Sequence, residues 1–71
     1  MRQRETWVRK LGKTIRRYRM MRGLTLQQTA DAYGCTLHRW QHFEAGEPLE
    51  IRTLIKIGKV VRVPGWKILK G

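Results

Sequence analysis

Between Cys35 and Glu44 the chain gathers side chains capable of specific chemistry: a thiol at Cys35, imidazoles at His38 and His42, an amide at Gln41 and a guanidinium at Arg39. His38 and His42 stand one helical turn apart and Cys35 is close enough in sequence to be a third ligand. A closed zinc site takes four ligands, and the rest of the chain offers no clear fourth, so no metal site is expected. Nucleophilic and acid–base catalysis fare no better. There is no Ser, His and Asp constellation, no pair of carboxylates and no phosphate-cradling glycine loop, so an enzyme, a cofactor and a small-molecule substrate are not expected. What remains is hydrogen bonding by His and Gln from one short stretch.

The charge says what such a stretch would face. Sixteen Lys and Arg against five Asp and Glu give +11 in 71 residues, a balance that repels itself and calls for an anionic partner, nucleic acid foremost. A single domain of this size has room for several helices around one core and none for a catalytic lobe. No apolar run approaches the roughly 20 residues that span a bilayer, and the basic N-terminus lacks a signal peptide's apolar segment. No membrane association and a cytoplasmic location are expected. The lone Cys35 suits a reducing compartment and reads as a small core residue.

Two short helices must position the polar stretch. Thr25 can accept from the free N–H groups of the turn it precedes while Gln28 reaches back, a reciprocal capping box. Thr29, Ala30 and Tyr33 share one face of the helix that follows, and Gly34 supplies a left-handed stop. Thr36 is a second N-cap and Gly46 a second stop. On a wheel of about 100° per residue, Trp40, Phe43 and Glu44 fall on one side of this second helix, with His38, Gln41, His42 and Ala45 opposite.

Around this centre, Val8, Leu11, Ile15, Tyr18 and Met21 define an amphipathic helix from about Thr6 to Met21, with Arg9, Lys10, Lys13, Arg16 and Arg17 on its other face. Residues 1–5 read as a flexible basic arm. Ile51, Leu54, Ile55, Gly58 and Val61 define another helix, with Arg52, Lys56 and Lys59 outward. Residues 62–71 form a C-terminal tail in which Pro64 suits the first turn of a short helix, and Pro64-Gly65 also fits a type II turn; the helix is favoured. Trp66, Ile68 and Leu69 are much apolar surface for a chain end, so they either fold onto the core or meet a partner.

Leu11-Gly12, Ile15-Arg16, Tyr18-Arg19, Gly23-Leu24-Thr25, Ala30, Gly34, Thr36, Glu44-x-Gly46 and Leu54-Ile55-Lys56 together resemble the phage repressor and Cro-type, lambda repressor-like helix-turn-helix family, over about residues 11–63. The resemblance implies an all-α fold of four to five short helices, one domain over residues 1–71, whose second motif helix lies in the DNA major groove. It places Leu37, His38, Gln41 and His42 on the base-reading surface, where Gln suits adenine edges and His can donate to bases or phosphates. Thr25, Gln27, Thr36, Arg39 and Arg52 become phosphate contacts, Gln27 standing one step after Leu26, where the family usually has a phosphate-binding Gln. It also pairs Arg19 with Glu44, and makes the tail, through Trp66, Ile68 and Leu69, a dimerisation element. Trp40 replaces a usual Ile or Val, its larger indole compensating the small Thr29.

The function implied is a sequence-specific transcriptional regulator, a small Cro-like repressor binding a pseudo-palindromic operator in double-stranded DNA as a homodimer. One alternative is an antitoxin-type subunit that holds a protein partner and binds DNA secondarily. Another, a single-strand or RNA binder, would display aromatic stacking platforms, and here Trp40 and Phe43 fall on the packed side.

Overall fold

A computed structural model describes the backbone from Arg2 to Gly71 and the side chains from Trp7 onward. Five α-helices follow one another: α1 (Arg2–Met21), α2 (Leu26–Tyr33), α3 (Leu37–Ala45), α4 (Ile51–Val61) and α5 (Gly65–Lys70), with no strand among the described residues. The all-α expectation holds. α1 starts before Thr6, so the expected arm of residues 1–5 falls within its backbone span from Arg2 on, while Met1 and the arm's side chains lie outside the described residues.

The core is built from Leu11, Ile15 and Tyr18 of α1, Ala30 of α2, Trp40 and Phe43 of α3, Leu54, Ile57 and Val61 of α4, then Val63 and Ile68. α1 lies across α3, α4 and α5, and α2 packs on α3 and α4. Three expected core positions are exposed, Ile55 because of its angle and Ile51 and Met21 because they stand at helix ends. The buried stripe of α4 runs through Leu54, Ile57, Gly58 and Val61, while Ile51 and Ile55 are exposed; Ile55 sits about 100° round the helix from Leu54, too far to share its face. Met21 is exposed as well, at the last residue of α1, where the helix has run past the core.

The tail is helical, with Pro64 as the N-cap of α5 rather than a residue of its first turn. Ile68 is buried (1% exposed) whereas Trp66 is 64% exposed. Residues two apart on a helix point about 200° apart, so Trp66 and Ile68 cannot belong to one surface patch. Ile68 is therefore a core residue and drops out of the expected interface, which keeps only Trp66 and Leu69.

Candidate nucleic-acid interface

The turn between α2 and α3 is set by its caps. The Thr25 hydroxyl accepts from the Gln28 N–H at 3.0 Å and the Gln28 side chain accepts from the Thr25 N–H at 2.8 Å, completing the capping box. Gly34 takes φ +91°, and both its N–H and that of Cys35 donate to the Ala30 carbonyl, at 2.8 and 3.0 Å. A residue with a Cβ would be strained there. Thr36 then caps α3 by accepting from the Arg39 N–H at 3.0 Å. Between α2 and α3, one glycine and one cap suffice to reverse the chain into a second helix.

α3 is anchored on its inner side by an aromatic cluster and an ion pair. Trp40 and Phe43 are buried, with their rings 5.5 Å apart edge to face, and Tyr33 of α2 lies 5.2 Å from Phe43. Glu44 accepts from Arg19 Nε at 2.6 Å and Nη2 at 3.3 Å, and its Oε2 also accepts from the Trp40 indole N–H at 2.7 Å. Arg19 donates once more, to the Leu24 carbonyl at 2.8 Å. The side chains of Arg19 and Glu44 are only 12% and 8% exposed. The carboxylate thus ties α3 to α1, and the guanidinium it holds ties α1 to the turn before α2.

The outer side of α3 presents His38, Gln41 and His42, all exposed, with the partly exposed Leu37 at the start of the helix. His38 and His42 meet Nε2 to Nε2 at 3.0 Å, so one ring donates to the other. Of the expected phosphate contacts, Thr25 and Thr36 use their oxygens as caps yet keep a hydroxyl proton to donate. Gln27 is engaged, its amide donating to Asp31 at 2.9 Å. Arg39 lies over the Phe43 ring, 4.8 Å from its centroid, and 3.1 Å from Glu47. Arg52 is exposed in the first turn of α4 with no ion pair among the described residues. Cys35 is half-buried beside the core rather than within it; burial pushes its thiol up, against the smaller pull of Arg39 and Lys56.

Residues 10–65 match the family described as helix-turn-helix domain. The chain belongs to the helix-turn-helix domain family. The clp gene regulator ClgR from C. glutamicum has the same fold, with a TM-score of 0.83 at 20% sequence identity over 90% of this chain and 84% of that one. No curated protein matches the chain. In helix-turn-helix domains generally, the second helix of the pair is the one that lies in the major groove. Here that helix is α3.

Three features lie beyond what the sequence pattern indicates. Trp40 and Glu44 stand at i, i+4, a spacing that brings side chains together on a helix, and this is the available signal for the indole bond. The Arg39 to Glu47 pair crosses the helix end, where no periodicity applies. Arg22, donating to the carbonyls of Val61 at 3.1 Å and Arg62 at 3.2 Å, stitches the end of α1 to the end of α4 across 39 and 40 residues of sequence.

Proposed function

We propose that this chain is a sequence-specific transcriptional regulator, a small Cro-like repressor that reads a pseudo-palindromic operator in duplex DNA as a homodimer. The observation that carries it is the outer face of α3: His38, Gln41 and His42 exposed in a row on a helix whose inner face is fixed by a buried ion pair and two buried rings. A rigid helix with solvent-exposed imidazole and amide groups on one side suits the edges of base pairs. Likeness in fold to a protein titled a gene regulator supports the regulatory part of the reading.

Selection of binding sites from a pool of random duplexes tests it. An enriched palindrome is expected, and Gln41→Ala should relax one position per half-site at a cost of about 1–3 kcal/mol, the worth of a bidentate base contact. A pool that stays unenriched overturns sequence-specific reading. Affinity for any duplex should fall with salt, log K against log salt having a slope of about −0.9 for each phosphate neutralised. An affinity indifferent to salt would remove nucleic acid as the partner.

For the homodimer, Trp66 and Leu69 are the exposed apolar residues of α5. An isologous contact across a two-fold axis would cover them twice over. Trp66→Asp is expected to convert a dimer into a monomer in sedimentation at micromolar concentration without unfolding it, because Trp66 adds little to the core. A wild-type protein that sediments as a monomer at high micromolar concentration refutes the assembly.

A further inference from the structure

The motif that would read DNA is not where the positive charge is. Residues 24–50 hold one cation, Arg39, against four acids, Asp31, Glu44, Glu47 and Glu50, a net of −3, so the remaining residues carry +14 and the whole chain +11. Within the motif Arg39 is itself 3.1 Å from Glu47. The motif itself is net acidic, and the cations gather elsewhere.

One gathering is continuous. Lys10, Lys13, Arg16 and Arg17 are exposed along α1, and none forms an ion pair with an acidic side chain among the described residues. Lys70 of α5 joins them: it lines a cleft of about 280 Å³ together with Lys10, and Arg17 donates to the neighbouring Gly71 carbonyl at 3.2 Å. No described acidic side chain shares the face, since all of them lie in residues 24–50. Its direction follows from α1. The end of α3 meets α1 at Gly12, where an added Cβ would stand 2.6 Å from the Glu44 carbonyl oxygen. At about 100° per residue, Lys13, Arg17 and Lys10 point roughly 100° to 160° round the helix from that contact, whereas Arg16 stands only about 40° from it, on the α3 side. Lys10, Lys13 and Arg17 look away from α3, so a duplex seated on α3 leaves them free.

Resting on the DNA-binding reading above, we infer that this α1–α5 face is a second, sequence-independent binding surface for the phosphodiester backbone, so that one protein holds a second stretch of duplex while α3 reads the first. Lys10, Lys13 and Arg17 span about 10 Å along the helix axis, against a duplex that carries one charge per ~1.7 Å. A lipid surface would want an apolar stripe among the cations for insertion. Here the exposed Trp7 and the pair Met20 and Met21 stand beyond the two ends of the α1 row, and Leu69 lies at its α5 margin, in the cleft with Lys10 and Lys70. Lys10, Lys13 and Arg17 themselves form a run that no exposed apolar residue of α1 interrupts, and that fits a phosphate backbone.

The test immobilises the enriched duplex from the selection experiment, saturates it with protein and adds a differently labelled 30-base-pair duplex of random sequence at low salt. Wild type is expected to capture the second duplex. Lys10→Glu/Lys13→Glu, at two exposed positions outside every described ion pair, should still occupy the first duplex with the same sequence preference and capture at least tenfold less of the second. Its salt slope on random duplex should also flatten by about 0.9 for each phosphate that is no longer neutralised. Circular dichroism of the variant confirms that α1 is intact. Equal capture by variant and wild type overturns the inference, as does occupancy of the first duplex with no capture of the second. Binding to vesicles containing phosphatidylserine by wild type but not the variant, with no second duplex captured, assigns the face to lipid and overturns it too. A protein that binds no duplex at all removes the DNA-binding reading itself, a result distinct from the loss of the second surface alone.

Discussion

Glu44→Ala is expected to cost about 3–5 kcal/mol, because it strands the Arg19 guanidinium in a site with little water. At 8% and 12% exposure the two side chains cannot turn outward to be solvated. The variant also leaves the Trp40 indole N–H without its acceptor in the centre of the core. A domain of this size holds on the order of 4–10 kcal/mol in all, so the loss approaches the whole stability. In thermal melts each kcal/mol should appear as a fall of about 4–8 °C. Arg19→Ala should cost less than Glu44→Ala, since it spares the indole bond and leaves the carboxylate with one neutral donor. Midpoints unchanged by either substitution would mean that the pair is solvated and carries no structural role.

Replacing both partners separates charge from shape. Arg19→Met/Glu44→Leu removes both buried charges at once, so it should be better tolerated than the sum of the single losses, as expected for groups that share one network. It should not be neutral. Two donated bonds disappear with the pair, to the Leu24 carbonyl from Arg19 and to Glu44 from Trp40, and the indole N–H has no other partner among the described residues. The residual cost then measures an unpaired buried donor, on the order of 1–3 kcal/mol.

How much of this was legible in the sequence depends on the range of the interaction. The capping box of Thr25 and Gln28, the stop at Gly34 and the cap at Thr36 are decided within four residues, and each stands where its local chemistry placed it. The division of α3 into a packed side with Trp40, Phe43 and Glu44 and an open side with His38, Gln41 and His42 follows from one helical period applied to nine residues. Where several residues compete for one stripe, the sequence underdetermines the angle. Ile51, Ile55 and Ile57 are equally apolar, and only the packing partners of α4 select Ile57 for the core. Ile68 and Trp66 share an apolar composition, although a helix separates them. The scarcity of cations in residues 24–50 was legible in the sequence, but the direction of Lys10, Lys13 and Arg17 relative to α3 was not, because it depends on which side of α1 the end of α3 packs against.

Gly12→Ala is expected to destabilise the protein although it improves the helix in which it sits. In the interior of an exposed helix this exchange would gain about 0.8–1.0 kcal/mol from propensity. Here a Cβ on Gly12 would stand 2.6 Å from the Glu44 carbonyl oxygen and 2.7 Å from the Gly46 N–H nitrogen. Both neighbours are backbone, so neither can swing aside as a flexible side chain would. The last turn of α3 must move off α1, and it carries Glu44 with it, lengthening the bonds to Arg19. Overpacking of this kind typically costs about 1–3 kcal/mol, and the upper end is expected because the displaced group is backbone and tied to the ion pair. In urea unfolding the midpoint should fall with the slope unchanged, the mark of lost stability rather than an altered denatured state. Lys13→Ala, one residue on and facing water, supplies the comparison and should stay within about 0.5 kcal/mol of wild type. A Gly12→Ala protein as stable as wild type, or more so, would show that α1 and α3 do not approach this closely.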